Sequence, residues 1–263
     1  FIQRLLAITV GEAGIASIGQ IRNLMAMLTS TSTLGTFSGV IKYVAEFKKD
    51  KPELSKIFST VTIFIIVGSL ISAVVLFLGA HYFSIYLFGS QDYVYIFQLL
   101  GVIVPFIAIN RVIGGVISGI SDYKRYAKIE LISYLLATVA ILLGLYYWDI
   151  KGVIIAIAIT PVIQLLVLAF VFGKTLKSYV RFSSLSLILN YKNKLLAFTL
   201  MSFVSTFLLN YIELDIRTLV TEEININEAG YWTAITFISK NYMVFATGLF
   251  TLYVLPILAG IHN

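Results

Sequence analysis

Six basic side chains stand where bases are expensive. Arg4, Arg22, Lys42, Arg111, Arg217 and Lys240 fall inside long apolar stretches, and each costs about 2.5–3.5 kcal/mol at the middle of a hydrocarbon layer. Bases kept at that cost normally face protein or a water-filled cavity. The chemistry open to them is electrostatic: Arg forks suit the oxygens of a carboxylate or phosphate. Two acids, Glu213 and Asp215, lie clearly within the same stretches, so the local balance is positive. Other reactive chemistries find little support. Cysteine is absent, which removes disulfides, thiolate metal sites and Cys nucleophiles. The two histidines, His81 beside a loop and His262 near the end, do not make a zinc site. No G-x-x-x-x-G-K-[ST] phosphate loop occurs, so P-loop hydrolysis of ATP is not expected. No metal or other cofactor is expected.

Helical spacing gives most of these bases polar company. Arg22, Thr29, Thr33 and Thr36 form one stripe; Arg111, Gly115, Ser118 and Asp122 form another. Lys240 shares a face with Thr233, Thr236, Thr247 and Thr251, and Asn210 shares one with Glu213 and Arg217. Recurring polar stripes suggest a common aqueous cavity. Structural readings stand beside the functional ones. Arg4, Arg22 and Lys42 lie near membrane surfaces, where long basic side chains snorkel. Lys42 sits about 200° round a straight helix from Arg22, so both face one cavity only if the helix bends, as Gly35 and Gly39 allow. Glu213 and Arg217, at i and i+4, equally suit a structural ion pair. Arg111 and Lys240 lie deepest, where the functional reading is favoured.

The elements that must position these residues are membrane-spanning helices. Of 263 residues, 59% are hydrophobic and 12% charged, and mean hydropathy is +0.94. A soluble domain carries about 25% charged residues, so lipid must be the solvent here. Helices are expected because an open strand leaves its backbone unsatisfied in hydrocarbon. The apolar stretches predict spans at 1–10 (partial), 21–45, 57–79, 94–118, 129–148, 152–172, 196–219 and 231–258. The class is thus an all-α polytopic membrane protein: a six-helix bundle with its first helix truncated, then the first two helices of a second bundle. The expected division is 1–180 and 181–263, with 173–195 as linker and Leu185–Leu189 as a short surface helix. The start at Phe1 and the end at Asn263 suggest a fragment.

Charge orients the spans. The loops at 46–56, 119–128 and 173–195 hold twelve Lys and Arg, whereas the alternate loops hold only Lys151. That bias places the basic loops in the cytoplasm. Tyr146, Tyr147, Trp148, Tyr231 and Trp232 suit membrane-interface anchors. Gly35-x-x-x-Gly39 and Gly115-x-x-x-Gly119 suit close helix packing, and Pro105 and Pro256 are candidate bends.

Several segments resemble one family. Gly11-Glu-Ala-Gly14, Gly19-Gln-Ile-Arg-Asn-Leu24 and Gly39-Val-Ile-Lys-Tyr-Val44 follow, in order, the patterns G-P-A-G, F-R-x-L and G-x-x-K-Y-V of the Wzx-type O-antigen and enterobacterial-common-antigen flippases. Phe198-Thr-Leu-Met201, Glu228-Ala-Gly-Tyr-Trp232, Ile238-Ser239 and Tyr253-Val-Leu-Pro256 continue the resemblance over essentially the whole chain. Glu12 departs from the pattern, which has Pro there, and Lys240 stands where some relatives carry an acid.

That family belongs to the multidrug/oligosaccharidyl-lipid/polysaccharide exporter superfamily, whose members resemble two six-helix bundles rocking about a central cavity. The resemblance implies movement of an undecaprenyl-diphosphate-linked oligosaccharide, an O-antigen or common-antigen repeat unit, from the inner to the outer leaflet of the bacterial cytoplasmic membrane. It implies a transporter rather than an enzyme, with membrane lipids and polysaccharide polymerase machinery as partners and no nucleic acid. In this reading Arg22, Arg111 and Arg217 hold the diphosphate, helped by Arg4, Lys42 and Lys240, while Asp215 or Glu213 couples to a proton or Na⁺. A multidrug or cation antiporter of the same superfamily is the alternative, and the excess of bases over acids argues against it. A membrane polymerase or glycosyltransferase would need a catalytic loop or acidic metal motif, and the outer loops contain neither.

Overall fold

A computed structural model of the chain describes residues 2–179 and 192–249, and all of its regular structure is helical among those residues. The helices are α1 (Ile2–Thr33), α2 (Phe37–Phe47), α3 (Lys51–Phe88), α4 (Val94–Gly119), α5 (Tyr123–Tyr179), α6 (Lys192–Glu223) and α7 (Ile226–Leu249), with a 3₁₀ turn at Gln91–Tyr93. Three stretches, Lys51–Phe88, Gln91–Gly119 and Tyr123–Gly173, are long and apolar enough to cross a membrane, and the bent pair α1–α2 makes a fourth. The chain is an all-α polytopic membrane protein. Its surface bears this out: Leu78 and Phe170 are 84% and 92% exposed, a disposition that hydrocarbon favours and water penalises.

Local chemistry sets the breaks. Asp50 caps α3, accepting from the Glu53 N–H at 3.1 Å, with Pro52 in the first turn. Gly89 ends α3 in the left-handed region, φ 65°, its N–H donating to the Ile85 carbonyl, as helix termini ending in glycine do. Asp122 opens α5 by accepting from the Arg125 N–H, and Asn225 opens α7 by accepting from the Glu228 N–H at 2.9 Å. The helices outrun the apolar stretches. At 38 residues, α3 is about 57 Å long and extends beyond the roughly 30 Å hydrocarbon layer. The connection expected at 11–20 is largely helical, interrupted only at Gly11, with φ 66° and ψ −172°. The apolar windows mark what lies in lipid; capping decides where each helix stops.

Two helices contain reversals or bends. In α5 the backbone leaves helical geometry at Trp148 and Asp149, between the two expected spans. Glu130, before the break, accepts from Gln164 after it at 3.0 Å, and Gly144 and Gly152 touch backbone to backbone. The two arms of α5 are therefore antiparallel. Between α1 and α2, Leu34 and Gly35 take φ 47° and 68°, and the helix axis turns by 52°.

The chain forms two compact units, Phe1–Gly19 with Ile216–Asn263, and Gln20–Asp215. In the larger unit, Val40, Val44, Leu54, Ile57, Val116, Ile129 and Phe172 belong to one buried core shared by α2, α3, α4 and α5. Gly115 and Gly119 bring α4 onto α2: a Cβ on Gly119 would lie 2.8 Å from Val44 Cβ. Gly68 brings α3 equally close to the α1 backbone at Thr31 and Ser32. In the smaller unit, α7 meets α1 through Gly230 against the Glu12 backbone. Tyr231 Oη adds a hydrogen bond to Glu12 Oε1 at 3.3 Å. Of the expected linker, residues 173–179 end α5 and residues 192–195 begin α6, while 180–191, with Leu185–Leu189, and the tail carrying Pro256 lie outside the described residues.

Candidate functional site: a polar cleft around Arg111

The larger unit holds a cleft of about 340 Å³ walled by α1, α2, α4 and both arms of α5. Arg111 supplies its positive charge. The guanidinium carbon lies 3.4 Å from the centroid of the Phe37 ring, close enough for a cation–π contact. Phe37 reaches that position because the break at Leu34–Thr36 redirects the chain into α2. Beside Arg111, Asn110 is buried and donates through Nδ2 to the Pro161 carbonyl at 2.6 Å. Its Oδ1 has no hydrogen-bond partner among the described residues.

The facing wall is polar and partly acidic. Glu130 and Tyr126, one turn apart on the first arm of α5, line the cleft with Thr160 and Gln164 of the second arm. Glu130 interacts electrostatically with Arg111, yet no ion-pair contact joins them among the described residues. A smaller cavity of about 290 Å³ shares Thr29, Phe37 and Arg111 and continues past Ser30, Thr33 and Ser38 to Ser205 and Thr206. The hydroxyls of Thr29 and Thr33 donate to carbonyls one turn back, at 2.8 Å each. They therefore present acceptor lone pairs.

The other expected bases have different settings. Arg22 is partly buried and interacts electrostatically with Tyr134 of α5; it does not line the cleft, but Met25, about one turn along, does. Lys42 is exposed, with Nζ 5.4 Å from the Tyr43 ring centroid. Arg4 and Lys240 are exposed on α1 and α7. Arg217 is 1% exposed within the smaller unit. Its Nε donates to Thr233 Oγ1 at 2.7 Å and its guanidinium carbon lies 5.3 Å from the Trp232 ring centroid. Gly19 makes room for it, since a Cβ there would come within 2.8 Å of the guanidinium carbon. Asp215 accepts from Tyr86 Oη at 2.9 Å, and Glu213 is half-buried. Thr251 and the Thr247 side chain lie outside the described residues.

Sequence reading singled out Arg111, Thr29 and Thr33 but not Asn110, Glu130, Thr160 or Gln164. A signal existed: Tyr126 with Glu130, and Thr160 with Gln164, are i,i+4 polar pairs, the second within an otherwise apolar arm.

A family described as polysaccharide biosynthesis protein has a model that matches residues 17–262. Relatives from Escherichia coli (strain K12) and Shigella flexneri, each named Lipid III flippase, are 25% identical to this chain over 256 residues. Those residues are 97% of this chain and 62% of each relative, so the chain spans less than two thirds of their length. No solved structure matches the chain.

Proposed function

Because this chain belongs to the polysaccharide biosynthesis protein family, we propose that it is part of a flippase that carries a lipid-linked oligosaccharide across the bacterial inner membrane. The observation that carries the reading is a polar cleft, built around Arg111, in the wall of a lipid-embedded helical unit. A diphosphate-linked sugar needs what such a cleft supplies: a guanidinium for the diphosphate and hydrogen-bonding groups for hydroxyls. The substrate in this reading is undecaprenyl-diphosphate-linked, with the polyprenyl tail left in lipid and the head group moved by alternating access. Arg22, about one turn from the cleft at Met25, is a second contact as the head group moves. Lys42 and Arg4 attract the anion from the membrane surfaces and Lys240 helps from deeper in its span, while Arg217 holds α6 to α7. Residues 1–180 and 181–263 belong to the two rocking bundles, and the basic loops face the cytoplasm.

The test is export. In cells lacking their own flippase, full-length protein with Arg111→Ala should restore surface polysaccharide about 10–100-fold less than wild type, the loss of one charge-assisted contact. Arg111→Lys should recover part of it. Full export by Arg111→Ala at equal membrane abundance would remove the cleft from the substrate path.

A further inference from the structure

Glu130 has no role in the reading above, and its position gives it one. Its carboxylate shares the cleft with Arg111 and accepts from Gln164 Nε2 at 3.0 Å. The charged or titratable groups around it are few. From α4 comes Arg111; from α5 come Tyr126 on the cleft wall and Tyr134 one turn beyond, the latter facing Arg22 of α1. The second arm of α5 offers Gln164 and α2 offers Phe37, neither of which titrates. Among these groups Glu130 is the carboxylate, an acceptor when ionised and a donor once it has taken up a proton.

We propose that Glu130 is a proton-binding site linked to anion binding at Arg111, so that the cleft takes up one proton together with its diphosphate. The proposal rests on the diphosphate reading and adds its proton stoichiometry. In the empty cleft the carboxylate offsets the Arg111 charge. A diphosphate diester brings about two negative charges to the same guanidinium and leaves three anionic groups around one cation. Protonation of Glu130 relieves this. A proton from solvent bonds to a carboxylate oxygen, no other bond changes, and the new O–H can donate to the ligand where the carboxylate could only repel it. Anion and proton therefore bind cooperatively, each strengthening the other.

The experiment uses full-length protein in detergent and farnesyl-diphosphate-linked N-acetylglucosamine as probe. This diester is chosen because its charges stay constant over the range studied. Calorimetric titration in buffers of different ionisation heat counts protons directly on the wild type. Uptake of a substantial fraction of a proton is expected, with affinity rising as pH falls from about 8 to about 5.5, by up to about tenfold per pH unit for one linked proton. Glu130→Gln should bind with little pH dependence and, at the high end, more tightly than wild type. Wild-type binding without proton uptake, or an undiminished pH slope in Glu130→Gln, overturns the proposal. If Arg111→Ala abolishes binding while that slope persists, only the proton linkage fails. If wild type does not bind the probe, or Arg111→Ala binds it as well as wild type, the diphosphate reading fails and the linkage falls with it.

Discussion

Arg111 and Arg217 are both intramembrane guanidiniums, and their surroundings separate them. Arg111 stacks on one ring and opens to a cleft; Arg217 is enclosed, with Nε bonded to Thr233 and Gly19 pressed against it. Removing the first should cost binding, and removing the second should cost stability, because a truncated Arg217 leaves a cavity and a broken buried hydrogen bond. Gly19→Leu tests this without touching the base: the side chain would collide with the guanidinium and with Thr233. We expect about 1–3 kcal/mol of destabilisation from overpacking, read as earlier thermal aggregation in detergent, while Arg111→Ala leaves that temperature nearly unchanged. Equal thermal stability of Gly19→Leu and wild type would contradict the enclosed role. None of this difference was legible in the residue types, since Arg reads the same in either place. The spacing of Arg22, Thr29 and Thr33 did reveal a polar helix face, of which Thr29 reaches the cleft and Thr33 the smaller cavity beside it.

At the scale of elements, the breaks matter as much as the helices. Gly35 at φ 68° lets α2 leave α1, and this is what carries Phe37 to Arg111. An alanine there meets the left-handed penalty of about 1–2 kcal/mol. The variant Gly35→Ala should therefore lower both thermal stability and probe binding, whereas Ser38→Ala, a change that needs no unusual backbone angle, should lower stability little. The contact between α2 and α4 makes a sharper case. A side chain on Gly119 meets Val44 Cβ and the Ile41 carbonyl, so Gly119→Leu should destabilise by about 1–3 kcal/mol. Gly173, with no atom within 4 Å of an added Cβ, should accept Ala at little packing cost. Matched thermal stability of Gly119→Leu and Gly173→Ala would refute the close α2–α4 contact.

For the whole molecule, orientation is the property that charge alone proposes. The absence of cysteine from this sequence makes it directly measurable. Single-cysteine variants Lys48→Cys and Asp92→Cys replace exposed residues, one before α3 and the other after it. In intact cells, a membrane-impermeant maleimide should label Asp92→Cys and spare Lys48→Cys until the membrane is opened. The opposite pattern would invert the proposed topology and with it the leaflet from which the substrate is taken.

The sequence by itself determined the solvent, the class and the approximate spans carried by α3, α4 and α5, because apolar length is a local property written into consecutive residues. It also isolated the six bases, since a charge inside an apolar stretch is conspicuous without knowledge of its neighbours. Tertiary structure decided what surrounds each of them. The reversal at Trp148 and Asp149 folds Gln164 back onto Glu130, and the turn at Gly35 sets Phe37 under Arg111. Both meetings join residues tens of positions apart through the angle at a single break. A break angle has no periodic signature. The positive charge of the site was therefore readable in advance, while its aromatic support and its acidic counterpart emerged only when the helices were packed.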